Sequence, residues 1–184
     1  MDEGAAPQVA ALALSPRHGF SKQAAESITL IVGEGVAGDA HSGCTVKHRS
    51  RVRQDATQPN LRQVHLLPAE LLAEMNALAF SIAPGDLGEN VLTTGVDLMA
   101  LPRGAQLRFP SGACVELTGL RNPCAQIEAF RPGLLAQVVG KSADGTIERR
   151  AGVMAIVLTG GAIAADDRME VILPDLPHYS LEVV

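Results

Sequence analysis

Short apolar runs separated by polar turns follow one another along this chain, and most have the length and side-chain types of β-strands. Residues 9–14 predict one strand, and the β-branched run 27–32 predicts a central one, ended by Gly33-Glu34-Gly35. Residues 63–67 predict a buried strand with helix signals directly after it. Pro68 stands where a first helical residue would, Glu70 suits the first turn, and Leu71, Leu72, Met75, Leu78 and Ala79 form an apolar stripe at helical spacing. Met75 is core filler on that pattern. Residues 91–94 predict a further strand, and 106–109 with 113–118 a hairpin around Pro110-Ser111-Gly112. A short helix follows over 132–140, a strongly apolar strand over 152–158, and a last strand over 168–173. No repeat or linker divides the chain.

Composition sharpens this picture. At 184 residues, 47% of them hydrophobic, the chain is long enough for one domain with a real core. Its 18 glycines and 11 prolines favour short strands over long helices. A net charge of -5 argues against general nucleic-acid binding and leaves room for a local basic pocket. No apolar run approaches the roughly 18 residues of a membrane span. The acidic start Met1-Asp2-Glu3-Gly4 is unlike a signal peptide, and three cysteines cannot all pair within the chain. The expectation is a reducing, cytoplasmic protein.

The stretch with most chemistry runs from Thr118 to Ile127. A strand leads into Arg121-Asn122-Pro123-Cys124, and Gln126-Ile127-Glu128 reads as the first turn of a helix. With Asn122 as N-cap and Pro123 at the first helical position, Cys124 falls in the opening turn, among unpaired N–H groups. Those donors and Arg121 favour a thiolate, as nucleophile or soft-metal ligand. A buried cysteine on a structural turn is the competing possibility. Cys114, inside an apolar strand, is expected to be buried and inert, and Cys44 in its loop to react more slowly than Cys124.

Two other loops stand out. Gly38-Asp39-Ala40-His41 places an Asp and a His between glycines, able to bind, orient or exchange protons, or simply to form an Asx turn. His41, Cys44 and His48 match no strong zinc spacing. Pro84-Gly85-Asp86-Leu87-Gly88-Glu89-Asn90 offers acceptors and an amide from Glu89 and Asn90, expected to serve a site more than the fold. Between these loops, Lys47, Arg49, Arg51 and Arg53 fall on one face of an extended segment and would hold a phosphate or other anion, unless they are a solvated edge. His65, closing an apolar strand, reads as a hydrogen-bonded core residue.

The three motifs, in this order and at these separations, resemble the MOSC domain, named for the C-terminus of molybdenum-cofactor sulfurases. The resemblance runs from about residue 31 to 173, making 1–184 a single free-standing MOSC domain with extensions at 1–8 and 174–184. It implies a mainly β fold with a few helices (α+β), built as a closed β-barrel with short helices outside. It implies molybdenum cofactor (molybdopterin) bound through the three motifs, by Asp39, His41, Glu89, Asn90, Arg121 and Asn122, with Cys124 as catalytic residue and molybdenum ligand. The basic face of Lys47, Arg49 and Arg51 is expected to hold the cofactor's phosphate. Some relatives reduce N-hydroxylated compounds, and that oxidoreductase activity is one expectation here, with electrons from a partner protein. The alternative is a carrier that holds cofactor, or sulfur as a Cys124 persulfide, for a receiving enzyme. An anion-binding barrel without chemistry is a third. Larger relatives carry a pyridoxal-phosphate desulfurase domain, for which this chain has no room. Neither nucleic acid nor membrane is expected as a partner. One departure stands in the last turn, where the family has Gly-Asp and this chain has Asp166-Asp167.

Overall fold

The computed structural model describes residues 6–47, 52–53 and 55–184. Its main layer is a sheet of eight strands: β1 (Gln8–Leu14), β2 (Gln23–Ala25), β5 (Val64–Pro68), β6 (Val91–Thr94), β7 (Gln106–Arg108), β8 (Cys114–Leu120), β11 (Val153–Thr159) and β13 (Glu170–Ile172). Their spatial order is β13-β7-β8-β11-β5-β6-β1-β2. Every neighbouring pair is antiparallel except β5 and β6, which run parallel and therefore need a crossover between them. Helix α1 (Ala69–Ala77) makes it.

The strand β5 is buried along its whole length. Its Val64 and Leu66 enter one apolar cluster, with Leu12, Val91, Leu117 and Val153. Leu67 enters a second cluster, with Leu71, Leu72, Met75 and Leu92. A period of two thus feeds two cores from one strand. The first core is shared with a small sheet, β12 (Gly161–Ala164), β3 (Ser27–Ile31) and β4 (Gly35–Val36), through Ile28, Leu30, Val36 and Ile163. The second is closed by α1 together with α2 (Ala125–Phe130) and α3 (Leu134–Val138), which contribute Ile127, Leu134 and Val138. A hairpin of β9 (Val139–Lys141) and β10 (Ile147–Arg149) follows α3.

The structure corrects the expected closed barrel. The eight-stranded sheet is open, with β13 and β2 as its edges, and no sheet among the described residues closes on itself. Closure would need a ladder between two edge strands of three residues each. Among the described residues, that seam has one isolated bridge, Gln8 with Arg168, and backbone hydrogen bonds of Pro7 and Val9 with residues 166–169, but no ladder, and the three-stranded sheet covers the apolar face instead. Two smaller expectations also shift. Strand β3 is central to the small sheet rather than to the large one. Helix α1 stops at Ala77 with Pro68 as its N-cap, so Leu78 and Ala79 leave the apolar stripe, Leu78 being exposed and Ala79 turning to φ 65°.

The Asp166-Asp167 turn keeps the geometry that a glycine would give. Asp166 sits at φ 67°, and the Asp167 carboxylate Oδ2 accepts from the Ala164 N–H at 2.8 Å. Aspartate tolerates the left-handed region better than most side chains. Asp166→Gly is therefore expected to leave the urea midpoint equal or slightly raised, and Asp166→Val to cost about 1–2 kcal/mol. Equal losses for both variants would show that the side chain, and not the backbone angle, matters there.

Candidate functional site

A cleft of about 410 Å³ opens where the three unusual loops converge on the ends of β5, β8 and β11. Its floor is His65 and Met154, which pair in register across β5 and β11. His65 is buried and donates from Nε2 to the Ala151 carbonyl at 2.9 Å. Burial, and then the nearby Arg121 charge, hold its imidazole well below the usual histidine range. It serves the core as expected and also faces the cleft.

One wall is the Pro84–Asn90 loop, and its glycines explain how it reaches the site. Gly85 and Gly88 both adopt positive φ, 89° and 81°. A Cβ at Gly85 would lie 2.7 Å from the Lys22 carbonyl oxygen, and one at Gly88 2.5 Å from that of Phe20. The loop thus lies flat against residues 20–22, tied by Lys22 N–H to the Gly85 carbonyl (2.8 Å) and Ser21 Oγ to the Asp86 carbonyl (2.8 Å). This contact delivers Phe20 and Lys22 to the cleft.

Asp39 organises the charge from behind the cleft. Its buried Oδ2 accepts from Lys22 Nζ at 2.7 Å and Asn90 Nδ2 at 3.1 Å, and Oδ1 from the His41 N–H at 2.9 Å and His41 Nδ1 at 3.2 Å. The Asx turn is therefore real, and it is tied to a buried lysine. Burial alone would raise the Asp39 carboxyl, but the His41 hydrogen bonds and the Lys22 ammonium overrule it and hold the group well below its usual value. Lys22 is lowered by burial, with Asp39 opposing. Asn60 fixes the next turn, donating from Nδ2 to the His41 and Gly43 carbonyls at 3.0 and 2.9 Å.

Asn90 carries more of the fold than its loop suggests. Its Nδ2 also reaches the Ala13 carbonyl at 3.2 Å, and its Oδ1 accepts the His65 N–H at 3.2 Å. The side chain stitches β1, β5 and Asp39 while bordering the cleft. Glu89 is buried, with Oε1 accepting the Gly85 N–H and Oε2 without a partner among the described residues. Burial pushes its carboxyl up.

Arg121 and Cys124 border the cleft next to this loop. The Arg121 guanidinium is buried, donates to the Leu87 carbonyl at 2.6 Å and lies 5.7 Å from the Phe20 ring centroid. Cys124 is half-buried and borders the cleft beside it. The helix begins two residues later than expected: Cys124 itself is the N-cap of α2, extended at φ -133° and ψ 169°, and Asn122 is exposed upstream. Its thiol caps nothing and instead donates to Gln126 Oε1 at 3.6 Å. Cys114 is buried, where burial pushes its thiol up, and Cys44 is exposed.

Of the residues singled out in the sequence, His41, Lys47, Asn90, Arg121, Asn122 and Cys124 border the cleft. Asp39 and Glu89 stand behind it. Arg49, Arg51 and His48 lie outside the described residues, and Arg53 is exposed in a helical turn, so the extended one-face alternation does not run through it. Phe20, Lys22 and Gln126 were missed. Nothing near Lys22 in sequence marks it, since its partners come from 17 and 63 residues away. No group of three or more His, Cys, Asp or Glu among the described residues could hold a metal ion by itself, and no helix is long and apolar enough to cross a membrane. A second depression, of about 710 Å³ beside α1 and β10, is lined by neither cysteine nor histidine.

YuaD of Bacillus subtilis (strain 168), a protein named for metal-sulfur cluster biosynthesis, is 32% identical over 152 residues, covering 74% of this chain and 76% of its own. The crystal structure of YuaD superposes with a TM-score of 0.72 at 26% identity, over 90% of this chain and 94% of that one. YiiM from Geobacillus stearothermophilus shares the fold at 14% identity, with a TM-score of 0.62 over 95% of this chain and 79% of its own. The MOSC domain model matches residues 53–170, more than half of the sequence, and the chain belongs to the MOSC domain family.

Proposed function

We propose that the cleft binds a molybdenum cofactor, with Cys124 Sγ as the thiolate that meets the metal. One observation carries this reading: a half-buried cysteine borders the same cleft as Arg121, Lys22 and Lys47. The donor set fits the group. A pterin phosphate needs fixed positive charge, and a soft thiolate suits a soft-ligand metal. When bound, the cofactor would supply a two-electron redox centre. The chain's own residues would hold it: Arg121 and Lys47 by charge, with Lys22 and His41 oriented by Asp39. Arg49 and Arg51 are proposed to extend the same anion site.

The activity this supports is reduction of N-hydroxylated compounds, which consumes two electrons and two protons and releases water. A partner protein would deliver the electrons, and the whole of 1–184 would act as one domain in the cytoplasm. The name of the Bacillus relative favours a second reading, in which Cys124 carries sulfur. There the Cys124 thiolate takes the outer sulfur of a donor persulfide, and the donor departs as a thiol.

Molybdenum and pterin measured in freshly purified protein, before and after gel filtration, test the proposal. Wild type is expected to retain both, and Cys124→Ser to hold at least about tenfold less molybdenum, since a serine oxygen is harder and its proton far less acidic. Folding should be untouched, because the replaced thiol bonds only to exposed Gln126 among the described side-chain contacts. Normal molybdenum content in the serine variant sinks the ligand assignment. Turnover on an N-hydroxylated substrate would then support the enzyme, and persulfide on Cys124 without turnover the carrier.

A further inference from the structure

We propose that His41 is the acid–base residue of the cleft, and that its Nε2 gives the proton to the oxygen that leaves an N-hydroxylated substrate. This role rests on the reductase reading above. Few of the described side chains bordering the cleft carry a proton that can be given up. Lysine and arginine hold theirs through neutrality, and Lys22 is also locked to Asp39 at 2.7 Å. His65 is buried, committed to the Ala151 carbonyl and kept neutral. Cys124 is assigned to the metal. His41 is left, bordering the cleft with its side chain 31% exposed.

The buried Asp39 carboxylate sets this ring. It is ionised and only accepts, so the 3.2 Å contact of Oδ1 with His41 Nδ1 requires the imidazole proton on Nδ1. The same oxygen takes the His41 N–H at 2.9 Å, and Asn60 Nδ2 holds the His41 carbonyl at 3.0 Å, so backbone and ring are fixed together. Asp39 stands behind the cleft, and the ring's other nitrogen therefore faces away from it. That nitrogen, Nε2, has no hydrogen-bond partner among the described residues. The His18 ring meets the His41 ring edge-on, with centroids 5.2 Å apart. Lys22, Lys47, Arg62 and Arg121 border the same cleft and supply its permanent charge. Only a group that titrates near neutrality can change charge as bonds break. Protonated, His41 has an N–H on both nitrogens, one held by Asp39 and one for the substrate. The N–O bond then breaks, and its oxygen takes the His41 proton and leaves as water. The nitrogen takes two electrons from the partner protein and a proton from solvent. His41 regains its own proton from solvent through its exposed edge.

The test combines proton–nitrogen NMR of the cofactor-free full chain with assays of the loaded protein. In wild type, the neutral His41 ring is expected to carry its proton on Nδ1 and to leave Nε2 bare. His41→Gln is expected to keep the wild-type molybdenum and pterin content and to lower kcat on an N-hydroxylated substrate about a hundredfold. Wild-type kcat should fall as rising pH removes the imidazolium, and that limb should be missing from the variant. Three results would each overturn the proposal while leaving the reductase reading in place. They are a proton on Nε2 in the neutral ring, undiminished turnover or an unchanged alkaline limb in His41→Gln, and molybdenum lost from that variant in step with its activity. A wild type that turns over no N-hydroxylated substrate sinks the reductase reading, and this role with it.

Discussion

Asp39→Asn is expected to cost about 3–5 kcal/mol of stability, because it strands the Lys22 ammonium in the interior. The Lys22 and Asp39 side chains are 4% and 2% exposed, and their charged atoms are 2.7 Å apart. Asparagine keeps the shape but has one acceptor oxygen where Asp39 has two. Its NH2 must face either the His41 donors or those of Lys22 and Asn90, and the loss adds those unmade bonds to the stranded charge. The double variant Lys22→Met with Asp39→Asn should recover most of it, since removing both members of a buried pair is far cheaper than removing one. Urea unfolding of the four proteins in this cycle decides the matter, and a double variant no more stable than Asp39→Asn alone would refute the pairing. The same pair predicts an acid limb. The folded Asp39 carboxyl lies below the unfolded value near 3.8, so its contribution is complete above that pH and is lost as pH falls beneath it. The wild-type urea midpoint should drop there by more than that of Asp39→Asn. Glu89 has the opposite sign: its carboxyl is raised by burial, so as pH falls protonation relieves it before Asp39 is affected.

What could be read in advance divides by the distance over which each feature is decided. Strand β5 was legible because five consecutive buried residues need no partner to be recognised. The burial of Cys114 was legible for the same local reason. Barrel closure was not, since it turns on whether two short edge strands meet, and their residues lie almost the whole chain apart. The end of α1 was missed because Leu78 and Ala79 continue the apolar spacing while Ala79 leaves the helical region of the backbone. At the site, Asp39, His41, Arg121 and Cys124 announced themselves through short motifs. Lys22 had no motif, being recruited by the backbone of a loop some sixty residues later. Asn90 looked like a site residue because polar side chains in glycine-rich loops so often are, whereas its amide also satisfies three elements of the fold.

That recruitment makes Gly88→Ala the substitution with the broadest consequence. The new methyl would stand 2.5 Å from the Phe20 carbonyl oxygen, a backbone atom that cannot rotate away, at a residue whose φ is 81°. The left-handed angle costs an alanine about 1–2 kcal/mol, and forcing the backbones apart about 1–3 more. Stiffening of the unfolded chain returns less than about 1 kcal/mol. A net loss of about 2–4 kcal/mol is expected in urea unfolding. Gly112→Ala is the control: its φ is 85°, but nothing lies within 4 Å of its added methyl, so it should show only the angle's share. The difference between the two variants measures the press of the Gly88 loop on residues 20–22. Displacing those residues also moves Phe20 from beneath Arg121 and Lys22 from Asp39, so Gly88→Ala should lose the cofactor proposed for the cleft at temperatures where it is still folded. Equal destabilisation in Gly88→Ala and Gly112→Ala, with cofactor content unchanged, would mean that the loop does not carry the cleft wall.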